Sequence, residues 1–577
     1  MNYADPKPAT ATSEPSVATP SAADQRWLRA GYFFIGLFFL SRLVYLASGR
    51  IELSEDEAYQ WLWSKHLALS YYSKPPLIAY TQFLGTRIWG DTEFGIRFFS
   101  PVFAASLSLA LLRFLAAEVN ARAGFWLVVI LAATPMLAVG STLLTIDAPS
   151  VLFWVLAMVA GWRAVQTGRI RDWCWTGLWF GLGLLSKYTA VGEILSLLLF
   201  LAWWAPAREH LRRPGPYVAL SIALLAFVPV LVWNSQHGWV TLTHLKERGG
   251  LDHAWKFQPR FLGEFLGGEL GLLNPVFFLA MVWAVGSFWR EPARGHSWPQ
   301  QAGSSSVVGA LGCRRESSDV AAGRHVRAPG LMLYLFCMGF PLFAFYLLYT
   351  LRGRVQLNWI APSIVPLFTL MVVYWSGRAE TNPRPVKHWL TVGLVLGFTA
   401  VALLHATELI GVLTGRPLRA DHDPLHRVRG WTEIAGMFEQ ERQKALNLGK
   451  PAFFITHDYD VAGILSFYVP AAKRGVPAAP LVYSVRTTRP ENQFYFWPGY
   501  QQRAGESAIY IQETDDPVAP PETVLEDFAR VTNLGMRDAY YAGQPFRRYQ
   551  LYLCEGLGEK KTPAGASAQA SAANQAR

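Results

Sequence analysis

Charge is scarce in this chain. Asp, Glu, Lys and Arg supply 16% of its 577 residues, where a soluble domain carries about 25%. The deficit excludes an ordinary soluble protein, because the hydrophobic residues, 52% of the total, fall in long runs and not in short periodic patches. Cysteine is scarcer still. Cys174, Cys313, Cys337 and Cys554 form no CxxC pair and no metal-ligand spacing, which excludes a disulfide framework and a zinc cluster. Phosphate-binding loops are missing too. No Walker sequence occurs, and Gly181-Leu-Gly183 precedes a hydrophobic hairpin without the strand–turn–helix setting of a dinucleotide site. An ATP-driven pump is thereby excluded. The net charge of +11 does not indicate nucleic acid, since the basic residues lie between the apolar runs, where positive charge orients helices in a bilayer.

What the chain has instead is membrane-spanning sequence. About 20 apolar residues cross the hydrocarbon core. Eleven runs qualify: 31–49, 95–117, 124–140, 148–166, 173–190, 191–206, 217–234, 264–289, 331–350, 358–375 and 389–413. The run 77–90 is too short and contains Arg87, so it is expected as a helix lying at the interface. Arginines crowd alternate connections: Arg122, then Arg163, Arg169 and Arg171, then Arg208, Arg212 and Arg213, and later Arg378 and Arg384. This positive-inside pattern puts the N-terminus in the cytosol. The connections 50–94, 141–147, 235–263 and 351–357, and everything after 413, then face outward. The fold class expected is a polytopic α-helical membrane protein of about eleven transmembrane helices plus interfacial helices, followed by a small C-terminal soluble α/β domain. Residues 1–28 read as a disordered N-terminus, 29–415 as the transmembrane domain, 416–556 as the outer α/β domain and 557–577 as a disordered tail. In the outer domain, short β-like runs (Phe453–Thr456, Leu481–Val485, Ala508–Ile511, Tyr549–Leu553) alternate with a helical pattern at Val461–Val469. The insert 291–328 shows no periodicity and is assigned no function.

Two acidic motifs stand at the outer surface. Asp56 and Glu57 sit among aromatic residues directly after the first helix. A carboxylate at an apolar interface has a raised pKa unless it is paired, which suits it to accept a proton. Asp147, in Leu143-Leu-Thr-Ile-Asp-Ala-Pro149, lies at the outer start of a helix. Its plain structural role there is an N-cap bonded to the first free backbone N–H groups. The outer basic set is Lys74, Lys187, Arg352 and Arg354. Positive residues are disfavoured in outer loops, and a phosphate would supply the reason for them. The alternatives are a headgroup anchor for Arg352 and Arg354, an ion pair with Glu193 for Lys187, and a membrane-belt role for Trp359.

Glu55-Asp-Glu-Ala-Tyr59 followed by Tyr71-Tyr-Ser-Lys-Pro-Pro76 resembles the first outer loop of glycosyltransferase family 39. Thr145-Ile-Asp-Ala-Pro149, Gly181-Leu-Gly-Leu-Leu-Ser-Lys-Tyr188 and Gln356-Leu-Asn-Trp359 are similar to its later motifs. This family includes protein O-mannosyltransferases and lipid A aminoarabinose transferases. The stretches 423–431 and 458–468 are similar to bacterial members with an outer C-terminal domain. The large outer loop domain of the eukaryotic protein mannosyltransferases is lacking.

The resemblance implies the C-type glycosyltransferase fold and inverting transfer of a sugar, hexosyl or pentosyl, from a polyprenyl-phosphate donor to a hydroxyl on a glycolipid, polysaccharide or protein. The reaction would occur at the outer face of the cytoplasmic membrane; a flippase for the same lipid-linked sugar is the alternative. It also implies Asp56 and Asp147 as catalytic acids and Lys74 as a donor-phosphate ligand; Arg352 or Arg354, from the outer basic set, is expected to join Lys74 at the phosphate. Glu57, Tyr59, Tyr72, Lys187, Asn358 and Trp359 are further candidates for substrate contact. No metal ligand set and no obligatory cofactor are expected, although a divalent cation beside Asp147 is admitted. Membrane lipid is an expected partner and nucleic acid is not.

Overall fold

The computed structural model describes residues 21–250, 252, 254–290, 316–415 and 418–559. Most of the expected disordered tail, of the expected disordered N-terminus and of the 291–328 insert lies outside them. Where those segments enter the described residues they are ordered: the first helix begins at Ala22, ahead of the expected residue-28 boundary, and residues 316–328 are helical.

A bilayer offers no water to backbone groups, so each apolar run must close its hydrogen bonds internally as a helix. The chain opens with α1 (Ala22–Ala47), and the first loop then carries α2 (Glu55–Lys65) and α3 (Leu77–Trp89), the second being the expected interfacial segment. Next, α4 (Glu93–Arg97) runs into α5 (Phe99–Glu118), and α6 (Ala121–Ala132) and α7 (Pro135–Gly140) make the return. The hairpin of α8 (Asp147–Thr167) and α9 (Ile170–Ser186) precedes α10 (Val191–Trp203), α11 (Gly215–Gln236) and the short α12 (Val240–Arg248). The helical part ends with α13 (Arg260–Leu272), α14 (Pro275–Arg290), α15 (Glu316–Tyr349), α16 (Ala361–Thr381), α17 (Pro383–His405) and α18 (Glu408–Thr414).

Among the described residues, seven helices are long and apolar enough to cross a membrane, or nine if each of two pairs bent by 112° is one span. The two other expected runs, 124–140 and 173–190, fall on α6–α7 and α9. Both double back on a neighbour. Ser100, at the start of α5, donates to the carbonyls of Gly140 and Leu143 at 3.0 Å, so α6 and α7 together return along α5. Gly168 turns the chain in the left-handed region at the far end of α8, and α9 comes back to end at Lys187 beside Asp147. Small residues let α9 and α11 approach closely. A Cβ on Gly177 would stand 2.4 Å from the Ala219 carbonyl oxygen, and one on Gly181 would stand 2.5 Å from the Ala226 methyl. Gly181 is therefore a packing residue.

The outer domain holds α19 (Trp431–Asn447), β1 (Ala452–Thr456), α20 (Tyr459–Tyr468), α21 (Pro470–Gly475), β2 (Val482–Ser484), β3 (Ser507–Glu513), α22 (Glu522–Asp527), β4 (Phe528–Tyr541) and β5 (Gln544–Leu557). The strand order is β2-β1-β3-β5-β4, with β1 parallel to β2 and β3 and the last two pairings antiparallel. Interior strand β1 is buried along its whole length, and its first four residues are an apolar run, as suits a strand covered on both faces. Edge strand β4 is half exposed, and its mixed sequence concealed it from the pattern analysis. Its turn signal is Ala542-Gly543, both at positive φ, the geometry of a tight hairpin.

This domain sits on the first loop. Helix α20 crosses α2 so closely that a Cβ on Gly463 would lie 2.8 Å from the Tyr59 nitrogen. Trp61 packs edge-on against Phe467 with ring centroids 5.1 Å apart. The Glu52 carboxylate accepts the N–H groups of Trp431 (2.6 Å) and Thr432 (2.9 Å), supplying a cap that α19 lacks in its own sequence. The loop 50–94 and the described residues after 413 therefore lie on one side of the helical bundle, as the charge asymmetry leads one to expect.

Candidate active site

Ser54 and Glu57 close a capping box at the start of α2, which turns Asp56 outward from the first helical turn. The Asp56 side chain keeps 55% of its surface exposed and receives the Lys74 ammonium at 3.2 Å. Pro75 and Pro76 follow Lys74 and restrict the backbone beside it. The Lys74 charge is the chief reason why Asp56 titrates below the ordinary carboxylate range; burial of its surroundings opposes this, and Arg427 and Arg248 add to the depression. A raised pKa was expected only for an unpaired acid, and this one is paired.

Asp147 collects the other motifs. It is the first residue of α8 and makes no capping bond, so the N-cap role does not hold. Lys187 reaches Oδ1 at 2.6 Å, and Asn358 donates to Oδ2 at 2.7 Å. The acid and the lysine are nearly enclosed, at 14% and 10% exposure. Lys187 therefore does not pair with Glu193: Glu193 is turned into the bundle, fully buried. Ser70, four residues before Lys74, meets the Tyr188 hydroxyl at 3.5 Å and links the first loop to the 181–188 motif.

Glu57 is not available to a substrate. It is fully buried and takes Arg97 through both oxygens, Nε to Oε1 at 2.8 Å and a terminal nitrogen to Oε2 at 2.7 Å. It also accepts the N–H groups of Leu144 (2.8 Å) and Ser54 (2.9 Å). Tyr59 is likewise structural. Its hydroxyl accepts the Gln493 N–H at 2.6 Å, its ring lies 4.6 Å from that of Tyr459, and burial pushes its ionisation upward. The Tyr72 N–H donates to the Gln493 side chain at 2.8 Å, and its ring faces His244 at 4.8 Å.

Arg354 does not join this group: its guanidinium stands 3.6 Å from Glu264 and is 81% exposed. Arg352 donates to the Gly250 carbonyl. The nearer cations are two that pattern analysis passed over. Arg248 lies over the Trp359 ring at 5.7 Å and acts on both Asp56 and His244. Arg427 comes from the outer domain. A signal for Arg248 was present: Lys246, Arg248, Lys256 and Arg260 load an outer loop with charge that orientation disfavours. The centre thus has one open carboxylate, Asp56, amid Lys74, Arg248 and Arg427, and a second acid locked by Lys187 and Asn358. Among the described residues, no group of three or more His, Cys, Asp or Glu side chains is placed to hold a metal ion.

A bundle of apolar helices whose acids and bases gather beneath an α/β roof defines a multi-pass membrane protein of the C-type glycosyltransferase fold. The whole-chain architecture matches the crystal structure of ArnT from Cupriavidus metallidurans in the apo state, with a TM-score of 0.54, 14% identity, and coverage of 92% of this chain and 98% of that one. The family model for dolichyl-phosphate-mannose-protein mannosyltransferases matches residues 73–233. The lipid A galacturonosyltransferase RgtD of Rhizobium johnstonii is 29% identical over 44% of this chain and 54% of its own length. An undecaprenyl phosphate-alpha-4-amino-4-deoxy-L-arabinose arabinosyl transferase of Pseudomonas paraeruginosa is 29% identical over 39% of this chain and 40% of its own. The chain thus spans about half, or less, of the length of these relatives. These likenesses agree with the resemblance to glycosyltransferase family 39.

Proposed function

We propose that this protein transfers a sugar from a polyprenyl-phosphate carrier to an acceptor hydroxyl, with inversion, at the outer face of the cytoplasmic membrane. The observation that carries the reading is the convergence of four separated motifs on two adjoining acid–base groups, Asp56–Lys74 and Asp147–Lys187–Asn358. The related arabinosyl transferases are named for an undecaprenyl-phosphate sugar, and a structural neighbour was solved bound to undecaprenyl phosphate. The acceptor is a glycolipid, polysaccharide or protein; the lipid A relative favours a glycolipid.

In this mechanism the Lys74 ammonium leaves Asp56 for the donor phosphate, a stronger anion, with Arg248 beside it. Losing its cation raises the Asp56 pKa and makes it a better proton acceptor. The acceptor oxygen forms a bond to the sugar C1 as the C1–O bond to phosphate breaks. The hydroxyl proton passes to Asp56, and the lipid phosphate departs with the bonding pair, its charge met by Lys74 and Arg248. Asp147, fixed by Lys187 and Asn358, offers a rigid acceptor for a sugar hydroxyl. Arg352 and Arg354 are not assigned to the phosphate.

The test is transfer by purified protein from a labelled polyprenyl-phosphate sugar. Asp56→Asn should lower turnover roughly 10²–10⁴-fold with little change in donor affinity. Retention of more than about a tenth of the activity would remove Asp56 as the base. Donor translocation without product would favour the flippase.

A further inference from the structure

Arg42 lies inside the first membrane-spanning helix, five residues before its end at Ala47, which places its Cα about 8 Å below the end nearest the first loop. An ionisable group at such depth is costly and normally finds a partner or a functional ligand. Among the described residues it has no hydrogen-bond or ion-pair partner. Its guanidinium carbon lies 5.7 Å from the centre of the Phe38 ring. The side chain is not turned out to lipid. It lines a cleft between α1, α5 and the α6–α7 return, with Phe38, Ala105, Ser108, Leu137 and Ser141 among its neighbours. No carboxylate lines this cleft. The two serine hydroxyls donate to carbonyls of their own helices, Ala104 and Ala138, so they leave the guanidinium as the cleft's strong donor. The titratable group facing it from α17 is His405, whose Nδ1 meets the Val401 carbonyl.

We infer that this cleft binds the phosphate of an anionic bilayer phospholipid, held by the Arg42 fork. A guanidinium presents paired N–H donors that match two phosphate oxygens. The rest of the cleft is apolar, with Phe34, Ile35, Leu107, Leu131 and Leu137 along it, and offers surface for an acyl chain. A bilayer phospholipid is favoured over the polyprenyl-phosphate donor because none of the candidate active-site residues lines the cleft. The inference rests on the membrane-spanning class alone and not on the transferase reading.

The test measures lipid binding without turnover. Full-length protein, stripped of lipid in detergent, is titrated with phosphatidylglycerol, phosphatidylcholine or undecaprenyl phosphate and examined by native mass spectrometry. The wild type should hold one phosphatidylglycerol about tenfold more tightly than Arg42→Gln does, and phosphatidylcholine should show no such difference. Ala105→Leu fills the cleft while leaving the charge, and should lose the same lipid; Lys74→Ala should keep it. Unchanged phosphatidylglycerol affinity in both Arg42→Gln and Ala105→Leu would overturn the site. A loss confined to undecaprenyl phosphate would overturn its assignment to a bilayer phospholipid.

Discussion

Glu57→Gln tests the structural frame that joins the two acids. In the native arrangement Oε1 accepts Arg97 Nε and the Leu144 N–H, while Oε2 accepts a terminal Arg97 nitrogen and the Ser54 N–H. The amide of Gln has one acceptor oxygen and one donor nitrogen. Whichever way it turns, its NH₂ faces at least two other donors, and Arg97, which is 1% exposed, keeps an uncompensated charge. Breaking a buried pair in this way costs about 3–5 kcal/mol, a large share of the roughly 5–15 kcal/mol that holds a folded protein together. At about 1–2 °C per kcal/mol for a chain longer than the usual reference domains, the thermal midpoint should fall by about 3–10 °C. The assay is thermal unfolding in detergent, with donor binding measured below the transition. Because Leu144 lies three residues before Asp147, donor affinity should fall as well. Combining Glu57→Leu with Arg97→Met removes both charges and should cost less than the sum of the two single changes. A Glu57→Gln protein with wild-type midpoint and a changed acceptor KM would refute this reasoning and return Glu57 to the substrate.

Lys74→Ala should weaken donor binding and turnover together, with Lys74→Arg recovering only part; titration with a non-transferable lipid-phosphate sugar reads the first, and equal Kd values across the series would exclude Lys74 as the phosphate ligand. Burial, and then Glu55, push Asp460 up to about 6, so the fold prefers its protonated form. That preference is lost as pH rises from the ordinary carboxylate range through about 6, and Asp460→Asn should therefore raise the midpoint at pH 7.5 and leave it unchanged near pH 4. A reporter fused after residue 415 should be exported and one at residue 310 should stay cytosolic; a cytosolic C-terminal reporter would reverse the orientation proposed for the site.

Much of the site was legible in the chain because its residues break local rules. Lys74 stands before two prolines, Asp56 follows a membrane helix, and Lys187 ends an apolar one; each departs from what its setting favours. Arg248 was legible in principle and was passed over, since Trp359 beneath it is far away in sequence. Glu57 was misread because its neighbour Asp56 has the same chemistry. One helical position rotates the first side chain out to the site and the second into the Arg97 socket, and a run of three acids does not reveal which faces where.

The sequence by itself determined that the chain spans a membrane several times and that a mixed domain follows, and its charge asymmetry set the expectation of which side each loop faces. These properties come from the length of apolar runs and the placement of arginine, quantities summed along the chain. Only the tertiary structure decided the partners. Lys187 had two carboxylates within reach of a reasonable guess, and Glu193 was the nearer in sequence. The chain leaves α9 extended at Lys187 and then starts α10, which turns Glu193 into the bundle, while the α8–α9 hairpin brings Asp147 back to Lys187 from 40 residues away. Asn358 arrives from 211 residues away. Such contacts are set by how helices pack, and packing depends on shapes distributed over the whole bundle.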